Sequence, residues 1–305
     1  MIRLLHRKEI NTHAWNERVR TGDFGQVFFM TWYLDACTGG DWFALIDGQY
    51  ESIMPLASRD KLGIDYLYQP FFLRHMGVIS GKETDESQRL KFLEAIPERF
   101  KFQDFCLHEG HRVLPEDCVS EERQYQKLSF HAEYPEIELG YSDNLRRVLR
   151  KTRKTAFKIR DQYNPEVLVD QFKKHQPDLA KTFRQQDYQR LTELMRAASS
   201  YATIRCLSIS HPDGSIHAGA FFIEACGRLL YLKGFSTPEG KKSGAMHHLF
   251  DSVIKEHAGT GLILDFGGSS VKSVSRFYHH FGSSDCLYLR LRANRLPKAI
   301  RWLKY

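Results

Sequence analysis

Arg228-Leu-Leu-Tyr-Leu-Lys-Gly-Phe235 is an apolar run with the composition of a buried β-strand. A loop containing glycine and lysine follows at residues 236–243. Apolar residues at helical spacing then extend from Gly244 to His257, and Gly259 ends that helix because glycine adopts the left-handed cap conformation at low cost. Leu262-Ile-Leu-Asp-Phe266 reads as the next strand. The stretch predicts strand, basic loop, helix and strand in that order.

The basic loop carries the residues of a candidate phosphate site. The first turn of a helix leaves amide N–H groups without intrahelical partners, and its dipole favours an anion there. Lys241, Lys242 and Ser243 add positive charge and a hydroxyl beside the amides of Gly244 and Ala245. Such an arrangement suits a phosphate or pyrophosphate. The alternative is a solvated loop that carries lysines.

Length and composition bound the class of protein. The 305 residues indicate two domains or one large one, and 42% apolar residues suffice for a core. No apolar run approaches the length of a membrane-spanning helix. The six cysteines are widely spaced without a Cys-x-x-Cys pair, so we expect free thiols in a reducing cytoplasm and no metal site.

Positive charge is concentrated in one segment. The formal net charge is +7, and the segment from Asn144 to Arg160 contains eight Lys/Arg and no acidic residue. A helix over 144–160, capped by Ser142 or Asp143, would bury one apolar stripe and present cations to water. The residues of that stripe are Leu145, Val148, Leu149, Thr152, Ala156 and Ile159.

Three interpretations suit this basic helix. It is a solvated face, which is the commonest case, or a surface for the phosphates of an RNA such as tRNA, or a contact with an anionic membrane. In the third case the C-terminal tail, 302–305, would contribute as well. The candidate phosphate or nucleic-acid contacts are Arg146, Arg147, Arg150, Lys151 and Lys154.

The chain contains an internal repeat of element order. Residues 42–107 read strand, Asp47-Gly48, strand, turn, aromatic strand, loop, helix and strand. Residues 204–266 read the same, with Asp213-Gly214 at the first turn. The repeat predicts two halves that share one order of strands and helices. Between the halves, residues 132–139 are expected to be extended.

A short strand is also expected at Val167-Leu-Val169, just after the basic segment. Its three apolar residues are β-branched or aliphatic, a composition that favours strand when periodicity alone cannot separate strand from helix.

The residues of the second half resemble the GNAT superfamily of acyl-CoA N-acyltransferases, in particular its tandem Fem-type (FemAB-like) branch. The resemblance lies in the Asp213–Ala220 strand, the helix from Gly244, the Leu264-Asp-Phe-Gly-Gly268 strand end and Arg276-Phe-Tyr-His-His-Phe-Gly282. It implies an α+β fold of two tandem GNAT-like domains, with mixed β-sheets flanked by helices. We expect a degenerate domain at 1–140 and a donor-binding domain at 141–305, which is entered through the basic helix 144–160.

The resemblance also implies a donor. The superfamily holds the cofactor pyrophosphate in an Arg/Gln-x-x-Gly-x-Gly/Ala loop, which corresponds here to Lys241–Met246. Lys241 replaces Arg or Gln, and Met246 replaces the last small residue. The implied donor is acyl-CoA or acetyl-CoA, and relatives of the Fem type that lack the strict loop include enzymes that take aminoacyl-tRNA.

The second half also contains candidate catalytic and donor-binding residues. Tyr278 matches the tyrosine that commonly protonates the leaving thiolate, a role that a phenol can perform; the alternative is an aromatic residue packed under the sheet. Asp265 ends a buried strand beside glycines and suits a base, or else caps the next helix. Glu224 is a second candidate base or an edge charge. Lys233 on the central strand is a candidate contact for the donor phosphate.

We therefore expect an N-acyltransferase that moves an acyl or aminoacyl group from a CoA thioester or aminoacyl-tRNA to an amine, for example one of a cell-envelope precursor. The rival expectation, from a different class, is a catalytically silent protein that keeps the fold to bind a nucleotide or carbohydrate.

Overall fold

The computed structural model describes residues 1–81, 85–161, 164–176, 182–268 and 272–297. The chain divides into two compact units. Unit 1 combines residues 1–124 with the segment from 287 onward, and unit 2 comprises residues 125–286. The expected domain border between 140 and 141 falls inside unit 2, so the division into domains remains a prediction.

Strands contribute many of the buried side chains of both units. The strands are β1 Arg3–His6, β2 Trp42–Asp47, β3 Ser52–Lys61, β4 Ile64–Tyr68, β5 Ile79–Ser80, β6 Phe102–Leu107, β7 Val119–Ser129, β8 Lys158–Arg160, β9 Thr203–Ser210, β10 Ile216–Ala225, β11 Arg228–Ser236, β12 Ile263–Gly268 and β13 Ser284–Asn294.

Helices accompany the strands in both units. They are α1 Thr12–Thr21, α2 Thr31–Thr38, α3 Glu86–Glu94, α4 Tyr134–Leu139, α5 Asp143–Thr152, α6 Pro165–His175, α7 Gln185–Tyr201, α8 Pro238–Ser243, α9 Ala245–His257 and α10 Lys272–His279, with single 3₁₀ turns at Arg7–Glu9 and Val27–Phe29. None of the helices in the described ranges combines the length and the apolar character needed to cross a bilayer.

Unit 1 is built on a mixed sheet in the order β1-β2-β3-β4-β6-β13, with β5 paired to β3. Neighbouring strands are antiparallel except β4 and β6, which are parallel. The Asp47-Gly48 turn joins β2 to β3 as predicted, and Gly48 has a φ of 57°. The core of this unit includes Trp15 and Trp42, whose rings meet edge to face at 5.2 Å.

Unit 2 is built on a second mixed sheet in the order β7-β12-β11-β10-β9-β8. Its neighbours are antiparallel except β11 and β12, which are parallel. Helices α5, α9 and α10 bury apolar side chains against one face of this sheet. Helices α6 and α7 pack on each other and on β11 and β9, from the other face.

The two sheets confirm the predicted duplication. In each unit an antiparallel meander of three strands is followed by a helical segment, and a fourth strand then returns parallel to the third. The parallel return requires a crossover connection, which α3 supplies in unit 1 and α8 with α9 supply in unit 2. The fold is therefore α+β with two tandem GNAT-like sheets.

Two predictions of extended structure between the halves are wrong. Val167-Leu-Val169 lies in α6, because Asn164 accepts hydrogen bonds from the amides of Glu166 and Val167 and Pro165 occupies the first helical position. Residues 134–139 form α4 instead of an extended run, and a proline in the first turn is compatible with that helix too.

The predicted helix over 144–160 is too long. Helix α5 ends at Thr152, and the chain then turns and enters β8, where Lys158 pairs with Ser210. Leu145 and Leu149 are buried as predicted, but Ala156 is exposed because the chain has already left the helix. Pairing with the edge of the sheet outweighs continuation of the helix.

The predicted basic loop is partly helical. Thr237 caps α8 by accepting a hydrogen bond from the amide of Gly240, and Pro238 occupies the first turn. Gly244, with a φ of 76°, separates α8 from α9. A Cβ atom on Gly244 would lie 2.6 Å from Cγ1 of Val148, so α5 packs directly on this junction.

We predict that Gly244→Ala destabilises unit 2 more than Gly227→Ala does. Both positions have positive φ, which costs an L-residue about 1–2 kcal/mol. An added methyl at Gly227 meets open space, whereas at Gly244 it would overlap Val148 and add about 1–3 kcal/mol. Urea unfolding of the two variants measures the difference.

The double variant Gly244→Ala/Val148→Ala provides the matched control. Because the second substitution removes the overlapping methyl group, the two changes should be non-additive, with part of the loss restored. Equal destabilisation at Gly244 and Gly227 would show that α5 does not press on the α8–α9 junction.

Candidate active site

A gap opens in the sheet of unit 2 between β11 and β12. The two parallel strands pair at only three positions, from Arg228–Ile263 to Leu230–Asp265. Beyond Leu230 the described residues form no further pair between these strands. A bulge in β11 accounts for the separation, because Tyr231 pairs with Phe222 of β10 while Lys233 pairs with Phe221, which leaves Leu232 as the extra residue.

The gap widens toward the carboxyl ends of both strands, where β11 leads through α8 to the start of α9. Carboxyl ends of parallel strands are where open α/β sheets bind ligands. The gap between β11 and β12 is therefore the candidate active site.

Aromatic rings line the gap on the face covered by α9 and α10. Tyr278 of α10, 5% exposed, lies 4.9 Å from the ring of Phe266 in β12 and 6.4 Å from that of Tyr231 in β11. Phe250 of α9 contacts Tyr231 and Phe266 at 5.0 and 5.6 Å. Tyr278 thus contacts both strands that border the gap.

The hydroxyl of Tyr231 lies close to the main chain of β11. A Cβ atom on Gly234 would sit 2.6 Å from this hydroxyl oxygen, so the glycine provides the space that the phenol occupies. Burial raises the pKa of Tyr231 well above its ordinary value. Tyr231 is not among the candidate site residues predicted from the sequence.

Asp265 occupies the last position of β12 that pairs with β11, at the apex of the gap. Its side chain is 1% exposed, and Oδ1 accepts a hydrogen bond of 2.9 Å from the amide of Gly267. Arg228 approaches Oδ2 at 3.9 Å and donates to the Tyr125 hydroxyl at 3.3 Å. Lys127 lies directly opposite Asp265 in β7. Arg228 is thus the basic side chain shown beside this buried carboxylate.

Asp265 and Tyr278 lie on opposite faces of the sheet. Alternate residues of a strand point to opposite faces, and Phe266, next to Asp265, packs against Tyr278 in the core under α9 and α10. Asp265 therefore points to the other face. The structure brings the two predicted catalytic residues to the same gap, but from its two sides.

Glu224 lies away from this gap. It ends β10, pairs with Leu229 and Thr203, and is half-buried beside the hairpin that joins β10 to β11. This end of the sheet is opposite to the one at which α9 begins. The structure does not bring Glu224 together with Tyr278 or with the predicted phosphate residues.

The predicted phosphate residues gather at the α8–α9 junction. Lys241 and Lys242 are exposed on the last turn of α8. The Ser243 hydroxyl lies 2.9 Å from Nδ1 of His217 and is already hydrogen-bonded. Ala245 is buried, so it offers a ligand no side-chain contact. Gly244 lies under Val148 of α5.

Lys233 is separated from this junction. Because of the bulge, its side chain lies on the face of α6, with Nζ 5.7 Å from the centre of the Phe172 ring. This geometry does not favour the predicted contact between Lys233 and the donor phosphate.

The cations of α5 fall on two flanks of the helix. Arg146 and Arg150 line a groove on the side of α4, together with Arg153 and Lys154 of the following turn. Arg147 and Lys151 are exposed outside that groove, on the side of Val148 and hence of the α8–α9 junction. The five predicted phosphate contacts thus belong to two surfaces.

A second polar cluster lies between α4 and α9. The Tyr134 hydroxyl donates to Oδ1 of Asp251 at 2.8 Å, and Arg153 contacts Glu138 at 2.8 Å and the Tyr134 hydroxyl at 3.0 Å. These residues line a cavity of about 460 Å³. Burial and the nearby Asp251 raise the pKa of Tyr134 far above its ordinary value. No periodic pattern or motif in the sequence predicts this cluster.

Two successive sheets with the same strand order, each with a parallel third and fourth strand, define a tandem GNAT-like fold of the Fem type. The solved structure of FemX is similar to this chain along 99% of both chains, with a TM-score of 0.69 and 14% identity.

Two further solved structures are similar over nearly their full lengths. A protein of unknown function from Bacteroides thetaiotaomicron has a TM-score of 0.61 at 9% identity, with 96% of this chain and 99% of that chain covered. The C-terminal domain of a proposed lysylphosphatidylglycerol synthetase from Agrobacterium fabrum has a TM-score of 0.55 at 11% identity, with 96% and 93% covered. No protein-family model and no curated protein sequence matches the chain. At these identities the similarity establishes the fold.

His247 of α9 supplies a pH-dependent contribution to stability that can be measured. Its ring packs 4.8 Å from Phe277, and burial, with the nearby His280, lowers the pKa of His247 to about 4. An unfolded histidine titrates near pH 6.5. The unfolded chain therefore binds the proton first, so this stability is present above about pH 6.5 and is lost as the pH falls toward 4.

We predict that His247→Phe makes the free energy of unfolding less sensitive to acid. Urea unfolding at about pH 7.5 and about pH 5 should show a smaller loss for this variant than for the unsubstituted chain, because phenylalanine binds no proton. The control is His13→Asn, at an exposed position of α1, which should behave like the unsubstituted chain. An unchanged loss in His247→Phe would contradict the assignment.

Proposed function

We propose that this chain transfers an acyl or aminoacyl group from a phosphate-bearing carrier to an amine, and that the reaction takes place in the gap between β11 and β12. The observation that carries the proposal is the placement of groups at this gap. Tyr278 borders it on one face, and the Asp265 carboxylate lies at its apex on the other. The tandem GNAT-like fold shared with FemX supports the same class of reaction.

The donor that best suits the surface is aminoacyl-tRNA. A tight pyrophosphate cradle at Gly244 has little support, because Val148 covers the glycine and the Ser243 hydroxyl is bonded to His217. Exposed cations instead surround the α8–α9 junction, and such an open arrangement suits the spaced phosphates of an RNA backbone. These cations are Arg147, Lys151, Lys241 and Lys242.

Acyl-CoA, including acetyl-CoA, is the alternative donor. The start of α9 is a helix N-terminus, and two lysines precede it. A pyrophosphate bound there would require α5 to shift away from Gly244.

The chemistry in the gap is direct transfer. The amine nitrogen attacks the carbonyl carbon, a C–N bond forms, and the C–O bond of the ester, or the C–S bond of a thioester, breaks. Asp265 accepts the proton that the attacking amine loses, and Tyr278 donates a proton to the leaving oxygen or sulfur. A proton from solvent restores Tyr278, and Asp265 returns its proton to solvent, so the charges balance over one cycle.

Asp265 and Tyr278 reach the gap from opposite faces of the sheet, so one can serve the amine and the other the leaving group. The attacking amine and the leaving group occupy different corners of the tetrahedral intermediate, so the base and the acid can approach them from different directions. A carbonyl placed in the gap would have Tyr278 on the side of the leaving group and Asp265 on the side of the amine. Glu224 has no part in this assignment, because β11 separates it from β12 and it lies at the closed end of the gap.

We propose an acceptor from the cell envelope. FemX and the proposed lysylphosphatidylglycerol synthetase share the fold, and the second of these names refers to an aminoacylated lipid. An envelope precursor that carries a free amine fits both the reaction and this comparison.

A catalytically silent binding protein is the second candidate. The observation in its favour is the covered Gly244, since α5 occupies the position at which a free nucleotide donor would contact the amides of α9.

We predict measurable transfer with radiolabelled aminoacyl-tRNA and an amine acceptor such as an alanine- or lysine-terminated peptide. Tyr278→Phe should lower kcat by about 10²-fold, since it removes a general acid without a change of shape. Arg147→Gln/Lys151→Gln should raise KM for aminoacyl-tRNA and leave kcat unchanged. Initial rates from a panel of donors that includes acetyl-CoA measure these effects.

Tyr188→Phe is the control, because Tyr188 belongs to α7, which packs on α6 and β9 and forms no part of the gap. Transfer from acetyl-CoA alone would overturn the RNA donor but keep the reaction. If none of the donors supports transfer and yet one of them binds, the silent binding protein is the correct description.

A further inference from the structure

The groove between α4 and α5 is a second cationic site of unit 2. It has a volume of about 390 Å³ and is lined by Glu138, Arg146, Leu149, Arg150, Arg153 and Lys154. Four of these six side chains are cations and only one is acidic. The groove lies on the flank of α5 away from Val148 and Gly244, so it is separate from the α8–α9 junction.

Two of the four cations are held in place by neighbouring groups. Arg146 donates to the carbonyl oxygen of Leu139 at 2.8 Å, which fixes its guanidinium at the end of α4. Arg153 is held by Glu138 at 2.8 Å and by the Tyr134 hydroxyl at 3.0 Å. Guanidinium groups that are positioned in advance lose less conformational entropy when they bind an anion.

The other two cations, Arg150 and Lys154, are exposed. Neither forms an ion pair with an acidic side chain in the part of the chain that the structure describes. Glu138, the only acid of the groove, is already engaged by Arg153. The groove therefore keeps a net positive charge, and a phosphate group has the charge and the acceptor oxygens that match it.

An exposed apolar side chain stands at the rim of the groove. Leu139, at the end of α4, is 77% exposed, and its carbonyl oxygen is the one that Arg146 binds. A leucine gains nothing beside an RNA backbone, but it gains free energy when it enters the apolar boundary of a bilayer.

The aromatic residues near the groove do not favour single-stranded RNA. Tyr141 is buried, and Tyr134 is half-buried with Lys255 over its ring at 5.6 Å. Neither ring is open to stack on a base, which is how single-stranded nucleic acids gain much of their affinity. Cations beside an exposed leucine instead match the surface of an anionic bilayer.

We propose that the α4–α5 groove binds the phosphate of an anionic phospholipid headgroup, with Leu139 inserted beside it, so that this face docks unit 2 on a membrane surface. The proposal is independent of the transfer reaction, because none of the groove residues belongs to the gap between β11 and β12. It assigns to Arg146, Arg150 and Lys154 a partner different from that of Arg147 and Lys151.

The test is co-sedimentation of the full chain with vesicles. Wild type should bind vesicles made of equal parts phosphatidylcholine and phosphatidylglycerol, and should not bind vesicles of phosphatidylcholine alone. Arg150→Gln/Lys154→Gln should lose about tenfold more affinity than Arg147→Gln/Lys151→Gln, because it removes hydrogen-bonded contacts in addition to charge. The two variants lose the same number of charges from the same segment and so control for each other.

Leu139→Ser should also weaken binding to the mixed vesicles without any change in charge. Circular dichroism confirms that each variant is folded. Equal losses in the two double variants, or no binding by wild type, would overturn the proposal.

Two further arms separate other sources of phosphate. Inorganic phosphate at the concentration of the lipid headgroups should not displace the protein from vesicles; displacement would identify a site for free phosphate instead. An unstructured RNA oligonucleotide should bind wild type and the groove variant equally. Loss of RNA binding in the groove variant, with vesicle binding intact, would assign the groove to RNA and overturn the membrane contact.

Discussion

The bulge at Leu232 is the local irregularity on which the candidate site depends. It shifts the register of β11 against β10, and the ladder between β11 and β12 ends after three pairs. A regular strand would continue that ladder and close the gap. Tyr231, which precedes the bulge, faces Tyr278 and Phe250, whereas Lys233, which follows it, lies on the opposite face over Phe172. One extra residue therefore accompanies the end of the ladder and places Lys233 on the face away from Tyr231.

Helix α5 is the second constraint, because it covers the junction that the fold would otherwise leave open. Val148 and Thr152 pack on Gly244, and Thr152 also lies 3.1 Å from a ring nitrogen of His248. This packing divides the cations of the segment between two surfaces. Arg147 and Lys151 lie on the flank nearer the junction, whereas Arg146 and Arg150 line the groove beside α4. A single amphipathic helix can in this way serve two different phosphate-bearing partners.

Much of the fold could be predicted from the sequence, because the element order repeats and the Asp-Gly turns mark both meanders. Tyr278 and Asp265 could be selected from short motifs, and the structure places both beside one gap. Tyr231 could not, since simple alternation along β11 groups it with Lys233 and gives no indication of the bulge. The end of α5 at Thr152 could not be predicted from the sequence pattern either, because Ala156 and Ile159 fit the helical stripe. The chain leaves the helix to pair Lys158 with Ser210, which belongs to a strand distant in sequence. The hydrogen bond between Tyr134 and Asp251 could not be predicted for the same reason, because the two residues are 117 positions apart. The tail at 302–305, a predicted part of the membrane contact, lies outside the described residues.

A donor that enters the gap between β11 and β12 should change the amide hydrogen exchange of the strands that border it. Exchange of the full chain is measured with and without aminoacyl-tRNA, and separately with acetyl-CoA. We expect the bound donor to slow exchange at residues 231–234 and 266–268, which border the gap, as well as at the start of α9. Protection confined to unit 1, with exchange at both strand segments unchanged, would contradict this expectation.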